Sequence, residues 1–254
     1  MNVATWITHF EHNRLNRPEP DWAAPIYLSR AQVVRLLPSL QQFHLGDGGG
    51  PASLIAHDAD GFRGQTDSMR MLVDAWFAEE REHSRLVGGL VERFGGKPIT
   101  SHWSFSAFCF CRRVFGVAFE LTVLLLTEIV STAYYRVLRR HANDAAIKGA
   151  CTLILRDEAG HVAFHRDRLS SEAEGAGARF GIVWRTRFRW LGYAAATMLW
   201  VNHGKCLAPL GATTAEFYHE VRLELSRFIG RLDRNVQRAP LPGAQTVLSL
   251  SANR

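Results

Sequence analysis

Two Glu-x-x-His tetrads, Glu80-Arg81-Glu82-His83 and Glu158-Ala159-Gly160-His161, constrain this chain more than any other feature, because each falls inside a helical run of sequence. On an α-helix, residues i and i+3 share a face with their Cβ atoms about 5–6 Å apart, so each tetrad offers a carboxylate and an imidazole to one point in space. Two such helices facing one another can surround a pair of metal ions. One tetrad alone carries little weight, since glutamate is common on helices and the chain has 11 histidines. The pairing gains force from the acids that accompany it.

Those acids follow from a turn argument. If two antiparallel helices bring ligands to one level, the turn between them falls near the midpoint of the two positions. For Asp47 and Glu80 the midpoint is Arg63, within the turn-like run Asp58-Ala59-Asp60-Gly61-Phe62-Arg63-Gly64. For Glu128 and Glu158 it is Asn143, within His141-Ala142-Asn143-Asp144. Pairing Glu120 with Glu158 would put the turn at Arg139, inside a helical pattern. The predicted ligand set is therefore Asp47, Glu80, His83, Glu128, Glu158 and His161. Gly48-Gly49-Gly50-Pro51 follows Asp47, and Pro51 has no N–H to give to the carbonyl of residue 47. The first helix is thus expected to kink or break there, with Asp47 as the most labile ligand.

A carboxylate plus a Glu-x-x-His, repeated, resembles the ferritin-like di-iron carboxylate superfamily, in which two helices each give one acid and two others each give the tetrad. The resemblance covers roughly residues 30 to 170. It departs at Asp47, where most members carry Glu and ribonucleotide reductase small subunits carry Asp. The resemblance implies two iron ions, or a manganese–iron pair, with O2 as co-substrate and Glu80 and Glu158 as bridging, catalytic acids. It also implies that the acid before each bridging Glu orients the opposite imidazole, Asp157 for His83 and Glu79 for His161. Bacterioferritins carry a similar ligand pattern in a shorter chain. Additional helices are more like the oxygenase branches, so the expected function is an O2-activating oxygenase or oxidase on a small organic substrate, served by a reductase or ferredoxin. The alternative is a bacterioferritin-like ferroxidase.

At 254 residues and 47% hydrophobic, the chain suits one domain over 1–254 with a full core. Residues 1–28 read as an N-terminal arm, 29–170 as the four-helix core, 171–238 as two added helices and 239–254 as a tail. Ser29 with Gln32 makes a capping box, and Pro38 marks a kink or restart. Helices are predicted over about 66–94, stopped by Gly95-Gly96-Lys97-Pro98, then about 105–140, 144–170, 180–205 and 214–238. Strand signals are poor, so the fold class is all-α, with a ferritin-like four-helix bundle core by the resemblance. The most apolar stretch, Val114 to Val130, contains Glu120 and Glu128 and reads as a buried bundle helix, with no membrane expected. The first residues lack a basic region followed by an apolar stretch, and the four cysteines form no metal or disulfide pattern, so a cytoplasmic location is expected.

Other residues have a functional and a plainer reading. His165, four after His161, is either a third nitrogen or outer-layer base at the site or, more commonly, a packed histidine. By resemblance to multicomponent hydrocarbon monooxygenases, Thr132 stands where those enzymes carry an active-site threonine, although an inward threonine is ordinary. Tyr134 and Tyr135 fill the core or hydrogen-bond near the metals. The net charge of +6 permits an acidic carrier protein. Arg136, Arg139 and Arg140, with Arg185, Arg187 and Arg189, form two basic clusters, and nucleic-acid binding is not expected. The added helices wall a substrate cavity or form a homodimer interface.

Overall fold

The structure is a computed structural model that describes residues 1–48, 66–113, 117–175 and 180–238. These residues hold eight α-helices and no strand: α1 Val3–Leu15, α2 Arg30–Gly46, α3 Asp67–Arg93, α4 Trp103–Arg113, α5 Val117–His141, α6 Ala145–Gly175, α7 Ile182–Leu207 and α8 Thr214–Arg238. The all-α expectation holds. The helix expected over 105–140 is described as two stretches, α4 and α5, on either side of residues 114–116, and the tail over 239–254 lies outside the described residues.

Local chemistry sets the ends of the helices. Ser29 and Gln32 form the reciprocal capping box at the start of α2, which runs on through Pro38. Thr66 accepts from the Met69 amide at the start of α3. At the far end of α3, the Gly96 amide donates to Val91 O at 2.8 Å and Gly95 takes φ +74°, the left-handed conformation that glycine tolerates. Asp144 Oδ1 accepts from the Ile147 amide at 3.0 Å, so the α5–α6 turn falls at the expected midpoint. The other expected turn, around Arg63, lies outside the described residues.

Helices α2 and α3 pair, as do α5 and α6, and α3 joins the two pairs by packing on α6. Leu37 lies against Gly96 and His44 against Gly88, so α2 and α3 are antiparallel. Helix α7 packs on α2 and α5, and α8 packs on α5 and α6. Two apolar clusters fill the interior. The larger includes Leu86, Leu90, Val130, Val137, Ile154 and Phe228; the smaller is Phe10, Leu72, Val73, Trp76, Phe77, Leu121, Leu124 and Phe164. Along α3 and α6 they are separated by one polar layer, in which Glu80, Glu158 and both tetrad histidines are buried, and α5 adds the buried Glu128. Helix α5 is long and apolar enough to cross a membrane, and most of it is buried inside the bundle.

Residues 1–28 are more than an arm. Val3, Trp6, Ile7 and Phe10 recur at helical spacing and pack into or against the smaller cluster, and α1 lies on α3 and α6. Its close approach depends on Gly160, where a Cβ would sit 2.5 Å from His9 Nε2. The prolines and asparagines that dominate the rest of the segment mask this short apolar stripe in the sequence.

Candidate metal centre

The tetrads face each other across the α3–α6 seam, with the His83 and His161 ring centroids 5.5 Å apart. His161 Nδ1 lies 3.0 Å from Glu80 Oε1, 3.8 Å from Glu158 Oε2 and 4.0 Å from Glu128 Oε1. His83 Nδ1 lies 3.7 Å from Glu80 Oε2 and 4.0 Å from Glu158 Oε1. Glu80 and Glu158 therefore stand near both imidazoles, while Glu128 serves the His161 side. Ligand atoms of Glu80, Glu128 and His161 all lie within 4.8 Å of one another.

The opposite edge of each ring is braced from the other helix. His83 Nε2 is 3.3 Å from Asp157 Oδ2, and His161 Nε2 is 3.0 Å from Glu79 Oε2. This crossed pairing turns both Nδ1 atoms inward, where they are buried without hydrogen-bond partners, as are Glu128 Oε2 and Glu158 Oε2. Buried polar atoms are rarely left unpaired. Imidazole nitrogens and carboxylate oxygens converging without partners fit a metal ion bound through nitrogen and oxygen.

Electrostatics agree. Although burial disfavours its charge, His83 is held up at about 10 by Asp157, Glu80 and Glu158. His161 is likewise raised, against burial, by Glu80 and Glu79. Glu80 is pulled well below the usual carboxylate range, since His161 and His83 outweigh its burial. Burial and the Glu80 charge push Glu158 well up. Without metal, the cluster thus balances its charge with protons on the groups that metal would claim.

The remaining candidates are placed as follows. Asp47 is the C-cap of α2, half-buried, with Tyr135 Oη donating to its Oδ2 at 3.1 Å. Burial and Glu80 raise its carboxyl to about 7. The helix stops at Gly46, and residues 49–51 lie outside the described residues. His165 is fully buried with Nε2 3.5 Å from Glu128 Oε2. Burial lowers its pKa despite that carboxylate. Thr132 donates to its own helix at Glu128 O, 2.8 Å away, while Ser131 Oγ reaches Glu158 Oε1 at 3.2 Å. Tyr134 bonds Ser39 at 2.7 Å instead of the cluster. Arg136 and Arg140 pair with Glu216, Glu220 and Glu224 on α8, and Arg185 with Asp233, so much of the basic character is used inside the fold.

The sequence concealed Arg17. It follows α1, and its Nη1 lies 2.6 Å from Asp157 Oδ2 while its other nitrogens approach Glu79 at 3.8 Å and Glu82 at 3.9 Å. One guanidinium thus touches both acids that brace the imidazoles. Arg156 holds Asp157 Oδ1 at 3.0 Å and the Asn16 carbonyl at 2.7 Å, tying the end of α1 to the same network. Asp157 is held down to about 2 by His83, Arg17 and Arg156, against its burial. No short motif marks a lone arginine ahead of the bundle.

Beside the cluster lies a cavity of about 300 Å³. Glu80, Glu128, Glu158 and Asp47 form one wall; Trp76, Phe105, Phe108, Leu124 and Leu199 supply much of the rest. Ser131 and Thr127 also line it, whereas Thr132 does not. Compared against protein-family profiles, curated proteins and solved structures, the chain matches none.

Proposed function

We propose that the protein is an O2-activating non-haem di-iron oxygenase or oxidase of the ferritin-like kind, acting on a small organic molecule. The observation that carries this reading is the pair of inward Nδ1 atoms sharing Glu80 and Glu158 beside an apolar cavity. Two ferrous ions, or a manganese–iron pair, would supply electrons to dioxygen, and the oxygen so activated would take electrons from the bound molecule. Glu80 and Glu158, each near both imidazoles, would hold them together with His83, His161, Glu128 and Asp47. Asp157 and Glu79 hold the rings in the orientation that leaves Nδ1 free to ligate. The aromatic and aliphatic walls exclude water from the oxidising end. A reductase or ferredoxin would restore the ferrous state between turnovers.

Ferrous reconstitution under anaerobic conditions tests the proposal. About two iron per chain are expected by the ligand count, with rapid oxidation on admission of O2. A single zinc and no iron uptake would overturn it. Iron taken up far beyond that ratio, into a hollow assembly, would replace it with the ferroxidase alternative.

A further inference from the structure

The carboxylates take up one end of the cavity, and the proposed chemistry leaves the end built by α2 and α7 unused. There a chain of buried groups runs out from the core. Tyr134 Oη lies 2.7 Å from Ser39 Oγ, and Ser39 Oγ lies 2.8 Å from His203 Nδ1. Its direction follows from hydrogen-bond satisfaction. If Ser39 donated to Tyr134, the buried phenolic proton would be left without an acceptor, which is the costly outcome. Tyr134 therefore donates to Ser39, Ser39 donates to His203 Nδ1, and the ring proton resides on Nε2. Burial and nearby His102 hold this imidazole down at about 4, so it is neutral. Phe43 packs on the ring at 4.8 Å and Tyr134 meets it edge-on at 5.6 Å, which fixes its plane. His203 lines the cavity, and its Nε2 is not among the side-chain atoms sealed away without a partner.

The charge of the walls narrows the ligand further. Among the described residues, no lysine or arginine lines the cavity, and its charged groups are the four acids of the metal end. With no metal bound, a carboxylate or phosphate would meet no lysine or arginine and would face those acids. The rest of the wall is chiefly apolar.

We propose that this cavity binds an uncharged, largely apolar organic molecule bearing one hydrogen-bond acceptor, a carbonyl, ether or aromatic ring nitrogen, which accepts from His203 Nε2 while the apolar body lies toward Glu80 and Glu158. Calling that molecule the substrate rests on the oxygenase reading; the binding itself does not require metal.

Calorimetric titration of the full chain, metal-free and iron-loaded, with 1-tetralone, tetralin and 5,6,7,8-tetrahydro-1-naphthoate separates the classes. The ketone and the hydrocarbon should bind, and to the metal-free chain the carboxylate should bind weakest. His203→Phe should lower the ketone-to-tetralin affinity ratio by about three- to tenfold, the worth of one neutral hydrogen bond, and His203→Gln, which keeps an N–H near that point, should restore part of it. A carboxylate that binds the metal-free chain as tightly as the ketone overturns the proposal, and needs no variant to show it; so does an unchanged ratio in His203→Phe. Iron uptake without ketone binding would sink this inference and spare the metal reading, whereas ketone preference without iron uptake would do the reverse.

Discussion

Glu128 and Asp47, the two acids that stand outside the tetrads, hold corresponding places beside the cluster and are built in opposite ways. Glu128 sits in the middle of α5, 6% exposed, with His161 at 4.0 Å and His165 at 3.5 Å. Its backbone is locked by helical turns on both sides, and its carbonyl accepts from Ser131 and Thr132. Asp47 caps the end of α2, half-buried, and its carboxylate accepts a hydrogen bond from Tyr135. One end of the site is therefore held by a whole helix, the other by a helix terminus and one phenol. The difference predicts an unequal pair of metal positions, tight on the His161 side and weak on the His83 side.

The largest effects should come from residues the two positions share. Glu158→Ala removes a carboxylate near both imidazoles, and His83→Ala removes one imidazole outright. Each is expected to abolish O2-dependent ferrous oxidation while far-ultraviolet circular dichroism stays close to that of the parent, because the apolar clusters carry the fold. Rapid oxidation in Glu158→Ala would mean that the bridging role is misassigned, and the comparison would lose its common element.

The unshared acids come next and can break the comparison directly. Glu128→Ala should empty the tight position, costing more than the roughly 10–100-fold in affinity that loss of an outer partner costs. Asp47→Ala should cost less and leave one iron bound. Competition with a chelator measures both, and equal losses would show that helix-centre and helix-end ligands are equivalent here.

Acidity sharpens the same contrast. His83 is raised from 6.5 to about 10, so in the metal-free protein its contribution to stability is full below pH 6.5 and is lost as pH rises through about 10. Asp47, raised from 3.8 to about 7, also binds its proton more tightly folded than unfolded, and its contribution is lost between those values. Both make the metal-free protein less stable as pH rises. Metal competes for the same protons, so the rise in Tm on iron loading should grow from pH 6.5 toward pH 9. A flat difference would show that the imidazoles are already neutral without metal.

A smaller effect is expected from Arg17→Ala, which removes the cation joining Asp157 and Glu79. Iron affinity should fall about tenfold, at the low end for an outer partner, because each acid keeps its imidazole. Arg17→Lys should recover only part, since an ammonium cannot match the guanidinium fork. Unchanged affinity in Arg17→Ala would reduce the network to packing. This residue also marks what the sequence conceals. The tetrads and the Glu128 pairing are local or nearly so: helical spacing fixes Glu80 against His83, and the length of one hairpin fixes Glu128 against Glu158. Arg17 meets Asp157 only because α1 folds back over the α3–α6 seam, and the inward stripe of α1 is short: Val3, Trp6, Ile7 and Phe10. The cavity is similarly hidden, since His203 and Leu199 arrive from α7, far along the chain from the tetrads. Contacts within a hairpin can be read from spacing; contacts that depend on how a third element docks cannot.

The smallest effect isolates the phenol that steadies the weak end. Tyr135 Oη donates to Asp47 Oδ2 at 3.1 Å, and that bond lowers the Asp47 pKa against the burial and Glu80 charge that raise it to about 7. Tyr135→Phe keeps the ring tilted against Phe43 and removes only the hydroxyl. Asp47 should then ionise at higher pH, and the pH midpoint for filling the weaker position should move upward. Well above that midpoint affinity should fall only several-fold, as expected for one hydrogen bond to a carboxylate. The tight position should not change, because Glu128 has no contact with this hydroxyl. A loss as large as that of Glu128→Ala would instead mean that Tyr135 does more than hold Asp47, and a midpoint that stays fixed would mean that Asp47 does not ionise to bind metal.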